Sequence, residues 1–129
     1  MKELIIVLLA IACMSLTAVG ADDGAKKSGK LNHVVSFRFK ESATPEQIKK
    51  VEDAFRGLKK KIKEIKSLEW GTNVSPEKHD KGFTHCWILT FGSDKDRDTY
   101  LVHPDHKEFG KIVGPVIADV FVVDFWAKD

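Results

Sequence analysis

Cysteine is nearly missing from this chain. Of two in 129 residues, Cys13 lies in an N-terminal apolar run, so Cys86 stands alone in the body of the chain. No intramolecular disulfide is expected, and a lone thiol in a strand reads as a buried one. Charge of one sign is also lacking: 21 basic residues face 19 acidic ones for a formal +2, which argues against nucleic acid as the main partner. No apolar run is long enough to span a bilayer, and no repeat or low-complexity tract is present. Tyrosine occurs once, as Tyr100. That tyrosine, Cys86 and three of the five histidines all fall between Gly82 and Gly114.

The run Leu4 to Met14 (LIIVLLAIACM) followed by Val19-Gly20-Ala21 has the form of a signal peptide with a small-residue cleavage site, so residues 1–21 are read as a leader and the chain as exported, periplasmic or secreted. Residues 22–30 (DDGAKKSGK) are charged and aperiodic, and are read as a flexible linker. The remainder is one domain, free of membrane once the leader is removed.

At Leu31 a period of two begins. Leu31, His33, Val35, Phe37 and Phe39 share one face, which predicts a first strand with His33 pointing into the core. Thr44-Pro45-Glu46-Gln47 holds the parts of a capped helix start, and Ile48, Val51, Phe55, Leu58, Ile62 and Ile65 then form one apolar stripe. Residues 67–75 alternate as a second strand, with Gly71 expected to mark a bulge or a close backbone approach. Residues 83–91 make a third strand, with Phe83, His85, Trp87, Leu89 and Phe91 on one face. Both of its faces are largely apolar. If helices cover one, the face carrying Cys86 and Ile88 needs another partner, so a homodimer through it is expected.

Ser93 caps a short helix, and Pro104 ends it at His103 and starts the next, which Gly114-Pro115 closes. Residues 119–127 form a last strand. The order β-α-β-β-α-α-β is a ferredoxin-like α+β plan. The Pro104 break lets Tyr100 and His106 meet although they are six positions apart, so the stretch from Gly82 is expected to gather His85, Tyr100, His103 and His106 into one site. An imidazole can take or release a proton at neutral pH, which makes His106 the natural general base and Tyr100 the donor to a carbonyl oxygen, with His33 or His85 orienting the base. Asp105 is expected to point elsewhere. The four histidines His33, His85, His103 and His106 have no metal-ligand spacing, so neither a metal nor another cofactor is expected.

The motifs H-V-V-x-F-x-F-K from His33, E-W-G-T-N-V-S-P-E from Glu69, G-F-T-H from Gly82, Y-L-V-H-P-x-H-K-x-F-G from Tyr100 and V-x-D-F-W-A from Val122 together resemble the stress-responsive A/B barrel (Dabb) family over residues 31–127. The resemblance implies a ferredoxin-like monomer that pairs into a dimeric α/β barrel with its helices outside. In a polyketide-cyclase member of that family, an aldol condensation is run by a His-Tyr pair. By resemblance those roles fall on His106 and Tyr100 as catalytic residues, with His33 as a pocket histidine; His85 and His103, which the chain order gathers beside them, are expected to line the substrate pocket as well. Two functions are thus expected as alternatives: a non-catalytic protein that binds a small hydrophobic ligand, or a cyclase- or lyase-type enzyme acting on an enolisable carbonyl compound.

Overall fold

The computed structural model describes residues 29–129, so the leader and most of the linker expected at 22–30 lie outside the described residues. The elements are β1 (Leu31–Phe39), α1 (Pro45–Lys61), β2 (Ser67–Thr72), β3 (His85–Phe91), α2 (Asp94–Val102), α3 (Pro104–Val113) and β4 (Ile117–Trp126). The four strands form one sheet in the order β2-β3-β1-β4, with every neighbouring pair antiparallel. This is the ferredoxin-like α+β plan expected from the element order.

The register explains the core. His33 lies opposite Leu89 and Asp124, Val35 opposite Trp87 and Val122, and Phe37 opposite His85 and Val120. With side chains alternating across the pleat, these residues share one face. On β1 and β3 that face is buried from Leu31 to Phe37 and from His85 to Phe91, beneath Val51, Phe55 and Leu58 of α1 and Phe109 and Val113 of α3. Phe55, Trp87 and Trp70 stack at its centre.

The helix starts are built as the sequence suggests. Thr44 Oγ1 accepts from the Gln47 amide at 3.2 Å, and the Gln47 side chain accepts from the Thr44 amide at 2.9 Å, a complete capping box. Ser93 Oγ accepts from the Asp96 amide at 3.0 Å.

Several local expectations differ from the structure. The apolar stripe runs to Ile65, but α1 ends at Lys61: Ile62 turns extended, and a tight turn then buries both Ile62 and Ile65. β2 stops at Thr72 and β3 starts at His85, because Phe83 closes a turn onto the Asp80 carbonyl and Val74 is left 92% exposed. β4 begins two residues earlier than expected, at Ile117. Gly71 makes neither a bulge nor a close approach, since it pairs in register with Cys86 and a Cβ there would meet open space. The irregularity in the sheet falls at Arg38/Phe39 instead. Cys86 is exposed in the isolated chain, because it points to the sheet face opposite the helices.

That outer face is apolar. Phe121, Val123 and Phe125 of β4 are 53%, 42% and 48% exposed, beside Val34, Ile88 and Cys86. A contiguous patch of this kind on a small domain marks a contact surface.

Candidate functional site

Pro104 creates the site. It cannot donate a backbone hydrogen bond, so α2 ends at Val102. His103 caps α3 by accepting the Asp105 amide on Nδ1 at 3.1 Å. Asp105 is the residue whose amide would otherwise serve the Leu101 carbonyl in a continuous helix. The carbonyl is therefore left over at the end of α2, and His106 Nδ1 donates to it at 3.2 Å. A carbonyl only accepts, so this bond places the proton on Nδ1 and leaves Nε2 with its lone pair when the ring is neutral. Burial pushes the His106 pKa down from the ordinary histidine value; the bond to Leu101 opposes this, and the nearby His33 and His103 rings add to it.

Tyr100 lies against this imidazole, with ring centroids 4.5 Å apart. Tyr100 is 1% exposed, and burial pushes the phenol pKa well above the ordinary value, so the hydroxyl stays protonated and is able to donate. His33 also packs on Tyr100, at 5.7 Å between centroids. His33 is 4% exposed, and its Nδ1 contacts Asp124 Oδ1 at 2.6 Å. The second oxygen of Asp124 accepts from Arg97 Nη1 at 3.1 Å. Elements β1, β4, α2 and α3 thus converge in a chain that runs Arg97, Asp124, His33, Tyr100, His106.

The chain borders a cavity of about 380 Å³. Its polar groups are His33, Tyr100, His106 and Asp124, and the rest of the wall is apolar, including Val35, Phe37, Phe109, Val113 and Val122. A mostly apolar pocket with a few polar groups gathered at one end is the usual form of a small-molecule site. A larger trough, about 660 Å³, lies on the outer side of the sheet between Ser36, Cys86, Ile88 and Phe121 and the loop residues His79 to Lys81. It holds neither Tyr100 nor His106, and its apolar floor belongs to the contact face described above.

The structure brings together His33, Tyr100 and His106, and separates two other residues from them. His85 is not within reach of the pair: its Nε2 meets Glu52 at 3.1 Å, its Nδ1 meets the Thr84 hydroxyl at 2.9 Å, and its ring packs on Phe39 and Trp70. Both nitrogens are occupied. His103 neighbours the site but spends its ring on the helix cap, and Asp105 lies 3.7 Å from His103 rather than beside His106. The His106 ring is anchored by the Leu101 carbonyl, not by His33 or His85 as the sequence suggests. Among the described residues no group of three or more His, Cys, Asp or Glu side chains is placed to hold a metal ion.

Two members of this chain of contacts, Arg97 and Asp124, and the His85 partner Glu52 were not singled out from the sequence. Glu52 lies on the charged side of the α1 stripe, and Arg97 in a short polar helix gives no signal. Asp124 does leave one: it is an acid at an alternate position of an otherwise apolar strand, in phase with Val120 and Val122.

The fold belongs to a known class. Residues 31–127 match the Stress responsive A/B Barrel Domain family, Dabb, and the chain is a member of it. It is 33% identical over 97 residues to the stress-response A/B barrel domain-containing protein HS1 of Arabidopsis thaliana, covering 75% of this chain and 89% of that one. It is 25% identical over 95 residues to olivetolic acid cyclase of Cannabis sativa, covering 74% and 94%. Among solved structures it is similar to a hydroxynitrile lyase from Passiflora edulis, with TM-score 0.73, 27% identity and coverage of 78% and 94%. A dimeric ferredoxin-like protein from Bacteroides fragilis superposes with TM-score 0.63 at 25% identity, covering 77% and 97%.

Proposed function

We propose that this protein binds a small hydrophobic carbonyl compound in the 380 Å³ cavity and moves a proton on it. The observation that carries this reading is the contact of a neutral, backbone-anchored His106 with a protonated Tyr100 at the polar end of an apolar pocket. His106 Nε2 takes the proton from the carbon beside the carbonyl. The C–H electron pair becomes a C=C bond, and the negative charge that develops on the carbonyl oxygen is met by the Tyr100 hydroxyl. Return of the proton to carbon completes an exchange; attack of the enolate carbon on a second carbonyl forms a C–C bond, and the alkoxide so made takes the proton back from His106, completing an aldol step. Two similar proteins are named for a cyclase and a lyase, which is consistent with acid–base work on carbonyl-derived substrates.

The simplest test is incorporation of solvent deuterium into the methyl group of acetophenone, followed by proton NMR. The expected result is protein-dependent exchange above the buffer rate, reduced in Tyr100→Phe. Saturable binding of acetophenone without exchange would favour the other expectation from the sequence, a non-catalytic hydrophobic-ligand protein.

The same proposal includes a homodimer closed through the outer sheet face, since Phe121, Val123 and Phe125 are each at least 42% exposed in the single chain. Phe121→Asp is expected to weaken dimerisation by roughly 30-fold or more, the effect of placing a charge at the centre of an apolar contact. Sedimentation equilibrium measures it. A wild-type protein that stays monomeric at micromolar concentration would contradict the assignment.

A further inference from the structure

We infer that the cavity's carbonyl ligand also carries a hydroxyl group within two carbons of the carbonyl, and that His33 is the residue that reads it. This rests on the carbonyl reading above and sharpens it to a substrate class, hydroxy-carbonyl compounds with an apolar tail.

The argument is one of matching donors to acceptors. His106 spends its Nδ1 proton on the Leu101 carbonyl, so Nε2 is an acceptor. Tyr100 is a donor. His33 Nδ1 faces Asp124 Oδ1, and an ionised carboxylate only accepts, so the His33 proton is on Nδ1. Arg97 meets the other oxygen of the same carboxylate at 3.1 Å. With the proton on Nδ1, the lone pair of a neutral His33 ring is on Nε2. No residue among those described bonds His33 Nε2, although the ring is 4% exposed and lines the cavity. The only enclosed side-chain nitrogen or oxygen without a partner among the described residues is Trp87 Nε1, so His33 Nε2, on a ring that lines the cavity, is not sealed against protein.

The polar end therefore presents two acceptors and one donor, with the Tyr100 ring 5.7 Å from His33 and 4.5 Å from His106. A simple ketone satisfies only part of this set. Its oxygen takes the Tyr100 hydroxyl and its acidic C–H faces His106, but it displaces water from His33 Nε2 and gives nothing back. A hydroxyl near the carbonyl donates to that nitrogen. An ether at the same position cannot.

Three probes of nearly equal size separate the cases: acetophenone, phenacyl alcohol and phenacyl methyl ether, each titrated calorimetrically into the full protein. Phenacyl alcohol is expected to bind about tenfold more tightly than either of the others. His33→Phe, which keeps a flat ring, is expected to bring all three within about twofold. Should that variant fail to fold, nitrogen NMR of histidine-labelled wild type decides the matter: His33 Nε2 should move toward a hydrogen-bonded shift with the alcohol alone. Equal affinities for the three, or a His33 Nε2 signal unmoved by bound alcohol, would overturn the hydroxyl assignment and leave the carbonyl reading standing. Binding of none of them would overturn both.

Discussion

His106→Gln is expected to slow α-proton exchange on bound acetophenone by ~10²–10⁴-fold, the usual contribution of a positioned general base. Glutamine is chosen because its amide can still donate to the Leu101 carbonyl, which His106 now meets at 3.2 Å, so the junction of α2 and α3 keeps its bond. What the variant lacks is a basic nitrogen. If His106 were only structural, the same change would instead cost about 1–3 kcal/mol of stability through imperfect pairing, with no selective loss of rate.

The pH profile gives a second reading of the same residue. Burial, with smaller contributions from His33 and His103, holds the His106 pKa below the ordinary value of about 6.5. The basic form therefore persists into mildly acidic solution, and the exchange rate is expected to fall only as pH drops through that lowered value. Stability follows the same sign. Between the ordinary and the lowered value the unfolded chain binds the proton and the folded chain does not, so this residue's contribution is retained above about 6.5 and lost as pH falls through the window. In His106→Gln that part of the pH dependence should vanish from both rate and stability.

The second large effect is structural. Trp87 is 0% exposed and sandwiched between Phe55, at 4.2 Å and 3°, and Trp70, at 4.6 Å and 14°. Trp87→Ala removes the central ring of this stack and is expected to lower stability by about 3–5 kcal/mol. At ~4–8 °C per kcal/mol for a domain of this size, Tm would fall by well over ten degrees, measured at fixed protein concentration because association also contributes. Trp87→Phe should cost far less. The indole nitrogen has no hydrogen-bond partner among the described residues, so replacing it removes an unsatisfied donor along with the lost area. Similar losses in the two variants would mean that the stack contributes little.

The stack also bears on the site. Phe55 forms part of the cavity wall, and Trp87 backs it from the sheet, so the apolar space is closed toward β2 and runs instead along Val113 and Val122.

Period-two alternation on β1 and β3 and the Thr44 and Ser93 caps made the element order readable from local chemistry alone, because each depends on neighbours a few residues away. The meeting of Tyr100 and His106 was readable for the same reason: it follows from a single proline. Distances between strands were not. Alternation correctly puts His33 and His85 on one face, but antiparallel pairing sets His85 opposite Phe37 and His33 opposite Leu89. Phe37 is four residues along β1 from His33, roughly 13 Å at strand rise, so a shared face did not make a shared site. Asp124 enters through the β1–β4 register, which has no local signature, and Arg97 reaches it from another element. Cys86 was placed on the correct face of β3, but its exposure depends on what covers that face, and the helices among the described residues all lie on the other side.

The most direct measurement follows acetophenone into the protein by nitrogen NMR of histidine-labelled samples. Ring nitrogens of His106 and His33 should shift on saturation, while those of His85, tied to Glu52 and Thr84, and of His79 in the outer trough should stay in place. Shifts at His79 or His85 with His106 unmoved would put the ligand elsewhere and contradict the assignment of the Tyr100–His106 cavity as the functional site.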